Sequence, residues 1–255
     1  MREHSKRTYL LSSSNFWGKQ TDLLERAQPG TGRWILEDER FTAWLDGETR
    51  SLWCHGHAGA GKTILSSIII DHLCSTIKSK DCAIAWLYID YRDHDLHTID
   101  ILLANLLVQL FEQHGQISKS MTQSLGSSVI QRGARPAPAE YKAWLQEDVQ
   151  RFNRVFVVID ALDEMCTQHI AKLLIAELQI LEPTIHLLVT SRPDLGSPFS
   201  QENSHEIEIL PREHDVILFT ESRLKASNDL WNQISEDSFL RQSIIENLTK
   251  ANHRM

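Results

Sequence analysis

The 255-residue chain is poor in the features that usually assign a class quickly. No apolar run approaches the ~18 residues needed to span a bilayer. The stretch from Met1 to Asn15 has no apolar core of a secretion signal. Four cysteines (Cys54, Cys74, Cys82 and Cys166) form no C-x-x-C pair and are too sparse for a disulfide-stapled secreted scaffold. Reduced thiols in a soluble, cytoplasmic protein are the expectation. Positive charge is in deficit: 26 Lys and Arg against 34 Asp and Glu give a formal net charge of -8, which argues against a surface that coats nucleic acid. There is no G-x-S-x-G elbow and no H-E-x-x-H pair; His94 and His97, three apart, read as scattered surface histidines. The seven tryptophans are spread through apolar segments and read as core packing rather than a stacking platform for bases. No internal repeat is visible.

What is present is an ordinary globular composition, 42% hydrophobic and 24% charged, with length for one large domain or a domain plus an appendage. Within it, Gly56, His57, Ala58, Gly59, Ala60, Gly61, Lys62 and Thr63 fill G-x-x-x-x-G-K-[ST], the phosphate-cradling P-loop of nucleotide-binding proteins. At average residue frequencies a random chain of this length shows the pattern roughly one time in a hundred. The context fits: Ser51 to His55 suits a short buried strand, and Ile64 to Cys74 continues with an apolar helical rhythm. Glycines let backbone amides turn inward toward an anion at a helix N-terminus, the set running on to Ile64. Lys62 is expected on the β and γ phosphates of a nucleoside triphosphate, ATP or GTP, and the Thr63 hydroxyl on Mg²⁺. The bland alternative is a glycine-rich turn between strand and helix.

Along the chain, Met1 to Ser14 reads as a loose polar tail and Asp22 to Arg26 as a short helix before the breaker Gln28 to Gly32. Arg33 to Leu45 has near-helical apolar spacing. Past the loop, strands are expected at Cys82 to Tyr91, Val155 to Asp160, Ile185 to Thr190 and Glu206 to Leu210. Helices are expected at Thr98 to Gln113 (strongly amphipathic), Glu140 to Arg151, His169 to Leu181, Asp215 to Ala226 and Asp237 to Ala251. Ser118 to Ala139 is the least ordered internal stretch. Alternating strands and helices predict an α/β, three-layer parallel-sheet fold with ligands beyond the carboxyl ends of the strands.

A second constellation sits at V-F-V-V-I-D-A-L-D-E, residues 155–164. Asp160, at a strand's carboxyl end, is placed for the Mg²⁺ shell through water, and Asp163 or Glu164 to orient or deprotonate a lytic water. Capping of the next helix is the alternative role for these acids. A third element is L-L-V-T-S-R-P, residues 187–193. Pro193 biases Arg192 toward an extended backbone, from which its guanidinium could reach a γ-phosphate; a surface ion pair is the alternative.

These three motifs together resemble a NACHT-type P-loop NTPase of the STAND class. Ala161 after Asp160, then Asp163 and Glu164, match the pattern D-[GAS]-h-D-E. Thr31-Gly32-Arg33-Trp34 with Phe41 to Leu45 resembles the segment before the phosphate loop in nephrocystin-3-like N-terminal domains, found in fungal multidomain proteins including those of vegetative incompatibility. The resemblance implies an additional-strand core of order 5-1-4-3-2, with the sensor strand between those carrying Lys62 and Asp160. It further implies ATP or ADP with Mg²⁺, slow hydrolysis, signal transduction, and protein partners or self-association. Gly32, Arg33 and Trp34 would border the base or a domain hinge, although periodicity alone places Trp34 in the core. The expected division is a flexible segment at 1–20, a helical lead-in at 21–50, the NTPase core at 51–211 and a truncated helical appendage at 212–255. Family members usually carry a winged-helix portion and repeats beyond that point. A nonhydrolytic nucleotide-binding interaction module, and more distantly a small-molecule kinase, remain as alternatives.

Overall fold

Continuous, mostly apolar runs build the centre of the molecule. In the computed structural model, which describes residues 15–115, 119–125, 136–181, 184–199 and 203–226 together with 243, 244 and 247, five strands pair in parallel. They are β1 (Ser51–His55), β2 (Cys82–Tyr88), β3 (Arg154–Asp160), β4 (Ile185–Ser191) and β5 (Ser204–Glu208). Their order is β2-β3-β4-β1-β5, which from the β5 edge reads 5-1-4-3-2, with β4 between β1 and β3 as expected.

Alternation along each strand divides its side chains between two cores. Trp53, Ala83, Ala85, Leu87, Val155, Val157 and Ile159 face one side, with α5 (Ile99–His114), α7 (Pro138–Val149) and α8 (Gln168–Gln179). Leu52, Cys54, Ile84, Trp86, Phe156 and Val158 face the other, with α2 (Arg33–Leu36), α3 (Glu39–Asp46) and α4 (Lys62–Thr76). The result is three layers. Shorter pieces are α1 (Phe16–Arg26), α6 (Lys119–Leu125) and α9 (Glu213–Ala226).

Several elements depart from the expectations. α1 starts at Phe16 rather than Asp22 and so crosses the expected boundary at position 20; Asn15 caps it, its Oδ1 accepting from Gly18 N at 2.9 Å. The segment Arg33 to Leu45 is two helices, because Asp38 leaves the helical region and caps α3 through Arg40 N at 3.0 Å. Trp34 is half-buried and packs against the core that Ile35, Phe41 and Trp44 fill. The stretch Ser118 to Ala139 contains α6, and its residues 126–135 lie outside the described residues. So do the tail 1–14 and all but three residues of the helix expected at Asp237 to Ala251.

The helix read as strongly amphipathic, α5, is enclosed over most of its length. Leu102 through Phe111 are all buried, since α5 is covered by the sheet on one side and by α7 on the other. Its polar Gln109 and Gln113 serve the exposed edge of β2. Gln109 accepts from Trp86 N (2.9 Å) and donates to Trp86 O (2.8 Å), while Gln113 does the same for Ile84 (2.9 and 2.7 Å). Four helical residues rise about 6 Å and two strand residues about 6.6 Å, so an i, i+4 pair matches alternate strand positions. The pair stands in for a sixth strand and closes the edge to outside pairing. No helix among the described residues is long and apolar enough to cross a membrane.

Candidate functional site

The phosphate loop leaves β1 under tight constraint. Gly56 N donates to Ser191 O at 3.2 Å, and a Cβ on Gly56 would stand 2.6 Å from Ile209 O, so only glycine fits. Gly61 has φ +92° with open space around it; its requirement is conformational rather than steric. It is the N-cap of α4 and makes no side-chain cap bond. The first amides of that 15-residue helix therefore have neither an intrahelical acceptor nor a capping side chain. His57, Ala58, Gly59 and Gly61 are exposed, whereas Lys62, Thr63 and Ile64 are half-buried. Lys62 folds back on its own loop, its Nζ donating to Gly56 O (2.7 Å) and His57 O (3.0 Å). Burial lowers the Lys62 pKa, opposed first by Asp163 and then by Asp160.

At the tip of β3, Asp160 is 1% exposed. Its Oδ1 accepts from Ser66 Oγ at 2.8 Å and from Thr190 Oγ1 at 2.7 Å. Burial raises its pKa, while hydrogen bonds from Thr190, Ser66 and Thr63 favour the charged form. The chain then turns through Ala161, whose φ of 56° is the only positive value at a non-glycine described residue. Ala161 N donates to Thr190 Oγ1 at 2.9 Å. The turn delivers Asp163 and Glu164 on a short 3-10 segment, Leu162–Glu164.

Both acids have partners. Asp163 accepts from Arg192 N (3.1 Å) and pairs with Arg192 Nε (3.1 Å); Glu164 accepts from Tyr91 N at 3.2 Å. Arg192 has φ -73° and ψ 153°, the extended conformation that Pro193 predicts. Lys62, Thr63, Asp160, Asp163, Glu164 and Arg192 thus converge beyond the carboxyl ends of β1, β3 and β4.

The oxygen donors of Thr63 and Asp160 suit Mg²⁺, and the glycine cradle with uncapped amides suits a phosphate chain. Among the described residues no group of three or more His, Cys, Asp or Glu is placed to hold a metal by itself. That agrees with the habit of Mg²⁺, which takes one or two carboxylates plus substrate phosphates and water. A cavity of about 200 Å³ lies elsewhere, between α1, the end of β2 and α5, and touches no loop residue. The loop itself is open surface, with Lys62 folded over its carbonyls.

Sequence reasoning missed Ser66, Thr190 and the Tyr91 amide. Ser66 and Thr190 carried a readable signal: hydroxyls in otherwise apolar runs, one turn past Thr63 and at a strand tip. It also misplaced His97, which is buried rather than on the surface, its Nδ1 accepting from Cys166 N at 3.1 Å. Burial lowers its pKa.

A parallel sheet of order 5-1-4-3-2, a G-x-x-x-x-G-K-T loop between β1 and α4 and a buried aspartate at the tip of β3 define the P-loop NTPase fold. Within that class the chain belongs to the nephrocystin 3 N-terminal family, which matches residues 30–192 and so takes in α2 through β4. No curated protein matches the chain. Among solved structures it is similar to a chain of Drosophila ORC bound to DNA (TM-score 0.48, 13% identity, 93% of this chain and 55% of that one). It is similar also to the Aeropyrum pernix ORC1 protein in complex with DNA (0.47, 14%, 86% and 53%) and to domain III of the Thermotoga maritima replication initiation protein DnaA (0.43, 14%, 91% and 89%). The chain spans about half the length of the first two, and at these values the likenesses carry no argument about its activity.

Proposed function

We propose that this chain is a NACHT-like, nucleotide-operated switch of the STAND class that binds Mg·ATP, or GTP, and hydrolyses it slowly. One observation carries the reading: six chemically suited side chains meet at an uncapped helix N-terminus. The amides from Gly56 to Ile64 cradle the phosphates. Lys62 exchanges the Gly56 and His57 carbonyls for phosphate oxygens, a like-for-like trade of acceptors that limits the cost of binding. Thr63 and Asp160 hold the Mg²⁺, which when bound neutralises charge on the phosphate oxygens. Asp163 or Glu164 orients a lytic water. Arg192, released from Asp163, reads the γ-phosphate.

Each of these groups is satisfied within the protein, Arg192 by Asp163, Lys62 by the Gly56 and His57 carbonyls and Glu164 by the Tyr91 amide, which supports a self-satisfied resting arrangement, as a switch requires. The hinge reading gains support at the lead-in: Gly32 N donates to Asp215 Oδ2 at 3.0 Å, and the Arg212 guanidinium lies 4.5 Å from the Trp34 ring centre. Residues 212–215 therefore dock on the segment from 30 to 34, which supports reading a core at 51–211 flanked by a lead-in and a helical appendage. The net charge of -8 disfavours nucleic acid as a partner, and the reading adds protein partners or self-association in the cytoplasm.

The test is to extract and identify nucleotide that co-purifies, then to follow single-turnover hydrolysis of ATP by wild type and Glu164→Gln. Bound ADP or ATP, with retained binding and slower phosphate release in the variant, is expected. Binding without any turnover in wild type would favour a nonhydrolytic interaction module, and no affinity for either nucleotide would overturn the proposal.

A further inference from the structure

Asp160 is fully buried, and two of the hydroxyls that hydrogen-bond it, besides Thr63, do not do the same work. Ser66 lies on α4, one turn beyond Thr63, and its Oγ donates to Asp160 Oδ1 at 2.8 Å. Thr190 lies at the end of β4, is 1% exposed, and donates to the same oxygen at 2.7 Å. A hydroxyl has one proton, so Thr190 Oγ1 meets Ala161 N only as an acceptor, at 2.9 Å. One side chain therefore bridges the carboxylate and the amide of the residue after it. That amide belongs to Ala161, held left-handed at φ 56° and ψ 49°, a conformation that costs energy for a residue with a Cβ. The direction of the chain at Ala161 decides where Asp163 and Glu164 stand.

We infer that Ser66 and Thr190 are positioning residues for Asp160, and that Thr190 alone also positions Asp163 and Glu164 by pinning the Ala161 turn. With both hydroxyls on Oδ1, the carboxylate is fixed in rotation. Ser66 Oγ donates to the carboxylate, whereas the Ala161 amide donates to Thr190. Removing Ser66 disturbs the metal carboxylate only, whereas removing Thr190 disturbs the carboxylate and the acids that follow it. This inference rests on the proposed role of Asp160 in holding Mg²⁺.

The test uses the full chain and the variants Thr190→Val, Thr190→Ser and Ser66→Ala. ATP binding is measured calorimetrically without Mg²⁺ and across a Mg²⁺ titration, single-turnover hydrolysis at saturating Mg·ATP, and melting without nucleotide. Losing a hydrogen bond to a charged group is expected to raise the Mg²⁺ needed for half-maximal binding about tenfold in Thr190→Val and in Ser66→Ala. The saturated rate falls about tenfold in Thr190→Val alone and stays within about twofold of wild type in Ser66→Ala. Thr190→Ser restores both readouts, and ATP affinity without Mg²⁺ is the same in all. A merely structural role would lower melting temperature without moving the Mg²⁺ midpoint. A wild-type Mg²⁺ response in Thr190→Val, or equal rate losses in the two deletions, overturns the inference while leaving nucleotide binding intact. Should Thr190→Val not fold, an unchanged Mg²⁺ midpoint in Ser66→Ala overturns it, and failure of Thr190→Ser to hydrolyse does so as well. Wild-type protein that binds no ATP removes the nucleotide reading and this one with it.

Discussion

Two aspartates are withdrawn from water to the same degree, Asp160 at 1% and Asp148 at 0% exposure, and they stand at opposite ends of the sheet. Asp160, at the carboxyl end of β3, has hydroxyl donors brought from α4 and β4 onto one oxygen. Asp148, in the last turn of α7 just before β3 begins, has no such reception. Arg151 Nε, three residues on in the same chain segment, lies 3.1 Å from its Oδ1, and His114 Nε2 lies 3.6 Å from Oδ2. Burial pushes the Asp148 carboxyl up to about 6, and burial also lowers the His114 pKa toward the neutral form. With Asp148 and His114 both shifted toward neutrality, their contact is better described as two packed polar groups, and Arg151 is the charge that opposes the rise. The lesson is that burial of an acid does not mark a site. Convergence of donors from separate elements does.

That contrast can be broken in several places. The largest effect belongs to Asp148. Its native pKa lies above the unfolded value of 3.8, so the native state holds the proton longer and this residue costs stability as pH rises from about 4 to about 6. The cost reaches up to about 3 kcal/mol above that window. Asp148→Asn should therefore gain on wild type through pH 4 to 6 and hold the gain at pH 7, measured by urea unfolding at each pH. A difference independent of pH contradicts this reading of Asp148.

A smaller loss is expected where polar groups are well received but serve only the fold. Gln109→Leu strips both main-chain partners from Trp86 on the β2 edge and should cost about 2 kcal/mol, with faster hydrogen exchange at the Trp86 amide. Unchanged exchange would show that the edge does not need its glutamine. The smallest effect is at Arg192, whose side chain is 51% exposed in its pair with Asp163. Arg192→Ala should change stability by less than about 0.5 kcal/mol, yet slow hydrolysis at saturating nucleotide. A large loss of stability with unchanged hydrolysis would make Arg192 a structural ion pair.

Much of the fold could be read from the sequence because β1, β3 and β4 are continuous apolar runs with clear ends, and buried parallel strands leave that signature. The phosphate loop and the acids from Asp160 to Glu164 were legible because local spacing alone defines them. The misreadings have a common cause: the roles they concern are set by distant partners. The bonds of Gln109 and Gln113 to β2 have no counterpart in the local sequence pattern. The Arg212 guanidinium over the Trp34 ring has none either, and His97 looks exposed until Cys166 N reaches it. Thr190 joins Asp160 and Ala161 from 30 and 29 positions away, and no local pattern encodes that bridge.

The central claim is that Lys62 and the loop around it hold a nucleotide's phosphates. The direct test is the melting temperature of wild type and Lys62→Ala with and without Mg·ATP. At about 100 times its Kd, ATP should stabilise wild type by roughly 2.7 kcal/mol, and the variant should melt as a folded protein that ATP leaves unmoved. Equal shifts in the two proteins, or none in wild type, would contradict the account.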